Sequence, residues 1–185
     1  MYALVENNTI TRIFTRPRGF TLGDVQYPQN IFSLWTKAEK EDIGIYEIEQ
    51  DNTNKKIEEW YTNTDVSYAF AGGKVTASYG TATAKAIEGL KTLKKEIFDK
   101  QAAGLLSKYD WYIIRNTEAS TAIPSAITDY RTAVRAKCNS MQAQVDGAAD
   151  VDALAALYAY VNTGTEENPV MEKPLGEWPD DPNEE

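Results

Sequence analysis

The chain has 185 residues, 42% hydrophobic and 25% charged, which suits one ordinary domain or two small ones and excludes a disordered chain. Histidine is absent, which removes the commonest general base and metal ligand, and with them Ser-His-Asp, Cys-His and zinc-protease arrangements. No apolar run approaches the ~18 residues of a membrane span, and the opening "MYALVENNTI" lacks the basic and apolar regions of a secretory signal.

Residues 1–80 read as short strands with turn punctuation. "YALVENNTITRIF" alternates around Asn7-Asn8, a hairpin turn because asparagine tolerates positive φ. A second turn falls at Gly23-Asp24. In "VSYAFAGGKVTASY", Tyr68 and Phe70 alternate before Gly72-Gly73, and Val75 and Tyr79 follow it. One short helix interrupts: Thr36 and Glu39 form a capping box, Gly44 ends the helix, and Trp35 and Ile45 flank it. The strand "IYEIE" comes next.

From Thr83 the period changes from two to 3.6. Ile87, Leu90, Leu93, Ile97, Gln101 and Leu105 fall on one helical face. A new helix is expected at Asp110, with that aspartate as N-cap and Trp111 to Glu118 as its body. Pro124 suits a first helical position. Ile127, Tyr130, Val134, Cys138, Met141 and Val145 form the next apolar stripe. Asp150 caps a last helix striped by Val151, Leu154, Leu157, Tyr158 and Val161. The final stretch, "NPVMEKPLGEWPDDPNEE", has prolines at 169, 174, 179 and 182 and is expected to lack regular structure.

Charge is unevenly spread. Residues 1–80 carry net −3, residues 81–163 net +1 and residues 164–185 net −7. No basic groove for nucleic acid is apparent. The lone cysteine, Cys138, cannot form an internal disulfide; on an apolar stripe it reads as a buried, inert thiol, consistent with a reducing compartment. Glu58 and Glu59 beside Trp60 and Tyr61 have the composition of a sugar site, but also that of an edge strand with solvated acids, which is the preferred reading. Asp180, Asp181, Glu184 and Glu185 flank a proline without a loop glycine and make a poor metal site. No catalytic, cofactor-binding or metal-binding residues are assigned, and no cofactor is expected.

In "LLSKYDWYIIR", Leu105–Arg115, the aspartate lets the chain turn between two helices. Trp111, Ile113 and Ile114 are expected to anchor the short helix in the core. Tyr109 and Tyr112 would present phenols at a rim, and Arg115 would pair with Glu118 or the following helix.

These residues carry a resemblance. "LLSKYDWYIIR", followed by "IPSAITDYRTAVRAK" with Tyr130, Arg131 and Arg135, resembles the C-terminal module of bacteriophage tail-fibre assembly chaperones, in which an L-L-x-x-x-D-W lead-in and an arginine precede a Y-R-x-x-x-R helix. "VQYPQNIFSLWTKAEKEDIGIYEI" is similar to the N-terminal part of small phage tail-region proteins. Together the two segments span a third of the chain. The tail "PLGEWPDDPNEE" departs from the chaperone module. The resemblance implies a non-enzymatic tail protein that binds tail-fibre or other tail subunits, located in the host cytoplasm during assembly. The alternatives are a permanent virion component (tail, baseplate, fibre adaptor or capsid decoration) and, more remotely, a carbohydrate-binding or glycan-hydrolysing module.

The resulting expectation is an α+β protein. Residues 1–80 form a small antiparallel β part with one short helix. Residues 81–163 form a helical part in the order long, short, long and final helix. Residues 164–185 form an extended acidic tail. Partner-binding residues are expected at Trp111, Tyr112, Arg115, Tyr130, Arg131, Arg135, Leu175 and Trp178. The partners are other phage tail or fibre subunits, or further copies of the chain, with neither nucleic acid nor membrane. The tail is read as a docking strap anchored by Leu175 and Trp178, with its acids steered toward Lys91, Lys94 and Lys95.

Overall fold

The computed structural model describes residues 1–183, so Glu184 and Glu185 lie outside the described residues. The chain is α+β and divides into two compact units, Met1–Thr83 and residues 84 onward.

The first unit contains β1 (Tyr2–Glu6), β2 (Thr9–Phe14), β3 (Phe20–Leu22), β4 (Val25–Tyr27), α1 (Ile31–Leu34), α2 (Lys37–Asp42), β5 (Ile45–Asp51), β6 (Tyr61–Thr62), β7 (Val66–Ala71), β8 (Lys74–Tyr79) and β9 (Thr83–Ala84) at its end. Its main sheet has the order β2-β1-β5-β8-β7. The turn chemistry holds. Asn7 and Asn8 have φ of 51° and 61°, and Gly72 and Gly73 have 56° and 74°, which matches the right-handed twist of the hairpins they close. Thr36 accepts from the Glu39 backbone while Glu39 accepts from the Thr36 backbone, so the capping box is complete. Gly44 sits at φ 78°, and a Cβ there would lie 2.4 Å from the Val5 carbonyl oxygen, so only glycine fits between α2 and β1.

Two details differ from the sequence reading. The sheet is antiparallel-rich, but β5 and β8 pair in parallel, Ile48 opposite Val75. The expected short helix is realised as α2, and a further short helix, α1, precedes it, with the extended residues Trp35 and Thr36 between the two. Alternation along the strands builds a core on each face. Leu4, Phe14, Phe20, Ile31, Phe32 and Ile45 form one, and Ala3, Ile48, Val75 and Ala77 form the other. Fully burying each large side chain contributes ~1.5–3 kcal/mol.

The second unit contains α3 (Ile87–Ser107), α4 (Asp110–Ala119), α5 (Ser125–Gly147), α6 (Val151–Ala156), β10 (Val161–Asn162) and β11 (Met171–Glu172). Helices α3 and α5 run antiparallel: Lys95 meets Asp146, Asp99 meets Gln142, and Leu106 meets Arg131. The α5 stripe is buried as its spacing predicts, from Ile127 through Cys138 to Val145. Asp150 caps α6 through the Ala153 N–H.

The α3 face is rotated from the expected one. Leu90, Lys94, Phe98 and Ala102 are buried, while Leu93 and Gln101 are exposed. Lys94 can occupy a core position because its stem is apolar and its ammonium lies 4.5 Å from the Tyr158 ring centroid. Helix α6 stops at Ala156, so Val161 joins β10 rather than the helix stripe. The tail does contain regular structure: β10 pairs with β11, Val161 opposite Glu172. No helix among the described residues is long and apolar enough to cross a membrane.

Candidate docking site

The joint between α3 and α4 is built around Arg131. Its side chain emerges from α5 almost fully buried and donates to the Leu106 carbonyl at 2.7 Å, in the last turn of α3. The same nitrogen pairs with the Asp110 carboxylate at 2.8 Å, at the first residue of α4. One guanidinium therefore adds a charge-assisted bond to a carbonyl in the last turn of α3, which also accepts from the Tyr109 N–H, and fixes the start of α4. Asp110 is not the N-cap that the sequence suggested. Tyr109 holds that position, no side chain caps the helix, and Asp110 turns to Arg131 instead. Tyr109 is buried edge-on against Tyr130, with ring centroids 5.6 Å apart at 81°. Arg135 bonds back to the Arg131 carbonyl at 3.3 Å, on the same helix.

Helix α4 buries none of its residues. Trp111, Ile113 and Ile114 are 48%, 40% and 56% exposed, so the expectation that they anchor the helix in the core is wrong. Anchorage comes from Arg131 at the helix start, which leaves the apolar side chains outside. Arg115 pairs with neither Glu118 nor α5. It lies over the Trp111 ring at 4.8 Å and the Tyr112 ring at 5.3 Å, and Trp111 and Tyr112 approach to 3.8 Å between centroids. These three residues make a stacked edge of aromatic rings and guanidinium. Among the described residues, Tyr109 bonds to the tail and Tyr112 does not.

The tail docks on the helices of its own unit. Lys173-Pro174-Leu175-Gly176 is a β-turn closed by the Gly176 N–H on the Lys173 carbonyl at 2.8 Å, with proline second and glycine fourth. Gly176 has φ 74°, a conformation that favours glycine, and a Cβ there would displace the flexible end of Lys137. Leu175 is buried; its N–H donates to Leu157 at 3.1 Å and its carbonyl accepts from Lys137 at 2.9 Å. Trp178 is half-buried and its indole N–H donates to Gln101 at 3.2 Å. Beyond it, Asp181 accepts the Tyr109 hydroxyl and pairs with Lys108 at 3.0 Å, while Asn183 donates to the Tyr109 oxygen at 3.1 Å. The Tyr109 bond holds the Asp181 carboxyl below its usual range, helped by the Asn183 backbone N–H and by Lys108. The same bond pushes the Tyr109 phenol up.

The structure thus gathers Leu175 and Trp178 on one surface of α3 and α5, as expected of a strap. It gives Asp181 a different cation, while Glu184 and Glu185 lie outside the described residues. Lys91 and Lys95 are engaged with Asp146 at 3.1 and 2.8 Å, Lys94 is buried, and Asp181 meets Lys108 instead. Residues missed at the sequence level are Tyr109, Lys108, Gln101 and Lys137. Gln101 and Lys137 lie on helices beside the core residues Ala102 and Cys138, and Lys108 and Tyr109 lie in the turn between α3 and α4.

The sugar-site alternative loses its stacking platform, because Trp60 is 4% exposed and belongs to the core. Cys138 is buried, with its thiol pushed up first by burial and then by the Asp99 charge. Among the described residues no group of three His, Cys, Asp or Glu side chains could hold a metal ion. No protein-family model, curated protein or solved structure matches the chain.

Proposed function

We propose that the chain is a non-enzymatic protein-binding subunit of a bacteriophage tail, taking tail-fibre or other tail subunits as partners in the manner of a tail-fibre assembly chaperone. The observation that carries the binding role is the exposed edge of α4. Trp111, Ile113 and Ile114 stand outside the core on a helix whose start is fixed by a buried arginine. Tryptophan, tyrosine and arginine are the residues that dominate interface energetics, and a pre-positioned edge loses little entropy on binding. The phage assignment rests on the resemblance of the Leu105–Arg115 and Tyr130–Arg135 segments.

The test combines two measurements. Trp111→Ala with Ile114→Asp should leave the unfolding midpoint close to wild type and weaken binding to a tail-fibre subunit by at least about tenfold. Mass spectrometry of purified virions beside infected lysate separates the roles: presence in lysate alone means a chaperone, and stoichiometric presence in particles means a permanent component. Absence of the chain from both, or unchanged binding by the double variant, overturns the proposal.

A further inference from the structure

The first unit carries a cationic cluster that the proposed function does not use. Arg12, Arg16 and Arg18 fall within one short stretch, "RIFTRPR", at the end of β2. All three are exposed, and among the described residues none has a carboxylate partner. Arg12 and Phe14 share a strand face, and Arg18 returns from the following loop over the same ring. The two guanidinium carbons lie 5.2 and 5.9 Å from the centroid of Phe14, a fully buried core residue. A rigid ring therefore fixes the cationic heads with their N–H edges free to face an anion. Beside them opens a cleft of about 440 Å³, lined by Pro17, which stands between Arg16 and Arg18 in the chain, by Phe32, and by the polar residues Gln29, Asn30 and Ser33. The chemistry is that of a receptor for an acidic segment bearing an apolar side chain.

The second unit presents such a segment. The β10–β11 hairpin places Glu166 and Glu167 in its exposed loop, and among the described residues neither has a cationic partner. Val161 and Met171 are exposed on its strands, and Val170 is exposed just before β11. The hairpin is short but internally fastened. The Asn162 side chain accepts from the Gly164 and Val170 N–H groups, both at 3.0 Å, and Thr165 accepts from the Asn168 N–H at 3.1 Å. A fastened hairpin with apolar side chains turned outward is a ligand held in its binding conformation.

We propose that the arginine-flanked cleft of one copy binds the acidic β10–β11 hairpin of a second copy, Glu166 and Glu167 meeting Arg16 and Arg18 while Val170 or Met171 enters beside Pro17 and Phe32. Charge selects this occupant. Residues 164–185 carry net −7 and form the most acidic segment of the chain, which complements the local cluster of Arg12, Arg16 and Arg18. Cleft and hairpin are different surfaces, so the contact is heterologous: each copy offers one of each, and assembly runs head to tail into a ring or an open chain.

Sedimentation velocity on the full chain tests this, from micromolar to near-millimolar concentration and in low and physiological salt. Wild type should grow in mean mass with concentration and shrink with salt. Arg16→Glu with Arg18→Glu, and separately Glu166→Lys with Glu167→Lys, should each weaken self-association by more than about tenfold. An equimolar mixture of the two double variants should associate again, because each supplies the surface that the other lacks. That rescue also shows that both variants are folded. The proposal is overturned if wild type stays monomeric throughout, if either double variant associates like wild type, or if the mixture remains monomeric. The outcome is independent of whether a tail-fibre subunit binds α4.

Discussion

Replacing Arg131 with methionine keeps an apolar stem and removes the guanidinium. The two bonds it makes are unequal. The Arg131 side chain is 9% exposed, whereas that of Asp110 is 57% exposed. Once unpaired, Asp110 is solvated, so its share is that of a surface ion pair, ~0.2–1 kcal/mol. The Leu106 carbonyl loses a charge-assisted hydrogen bond, worth ~1.5–3 kcal/mol. Arg131→Met should therefore cost about 2–3 kcal/mol, while Asp110→Asn should cost less than about 1 kcal/mol. Urea unfolding followed by far-ultraviolet circular dichroism measures both. Hydrogen exchange should locate the damage, with α4 amides losing more protection than those in the middle of α5. If Asp110→Asn costs as much as Arg131→Met, the joint depends on the ion pair and the reasoning from burial is wrong. If Arg131→Met is neutral, the packing of Tyr109 on Tyr130 holds α4 without the arginine.

Leu175→Ala should cost ~2–5 kcal/mol of tail docking, the range for truncating a buried leucine, and should be read as faster proteolysis of residues 170–183 with helical content unchanged. The tail should also have a pH window. The lowered pKa of Asp181 adds docking stability that is present above the ordinary carboxylate value of 3.8 and lost as pH falls through the lowered one. The raised pKa of Tyr109 adds stability that is present below the ordinary value of 10.0 and lost as pH rises through the raised one. Trp178 fluorescence should report both edges, and Asp181→Asn should remove the acid edge. Gly44→Ala should destabilise the first unit by roughly 1–3 kcal/mol, from positive φ and the clash with Val5 together; an unchanged thermal midpoint would contradict that geometry.

The parts legible in the sequence were those whose cause is local. Asn7-Asn8, Gly72-Gly73, the Thr36–Glu39 box and the Asp150 cap each involve neighbours in the chain, and each is realised. The α5 stripe was legible because its residues are uniformly apolar. The α3 face was not, because the buried line includes Lys94, whose place depends on a ring from residue 158. Asp110 was misread for the same reason. Local rules make it a cap, but Arg131 arrives from the next long helix and takes its carboxylate. Within the site, Leu175 and Trp178 stood out as apolar residues in an acidic tail. Their receptors on α3 and α5 did not, since a polar residue that meets a docked tail looks no different from one that meets water.

The sheet order also bears on how the first unit comes together. The β1–β2 and β7–β8 pairs are hairpins closed by two-residue turns, so each can form early and without the other. Strand β5 lies between them, antiparallel to β1 and parallel to β8, and it is the only strand that pairs with both. The parallel side needs the chain to leave β5, pass through residues 52–65 and return along β7 before β8 can be laid down, a closure much longer than a hairpin's. The two hairpins are therefore expected to form first, with β5 joining them in a slower step. A cut in the 52–60 segment would leave each half with its own hairpin and β5 with its β1 edge. The fragments would be expected to find each other again through the β5–β8 seam, which makes that segment the natural place to split the unit into two complementing pieces.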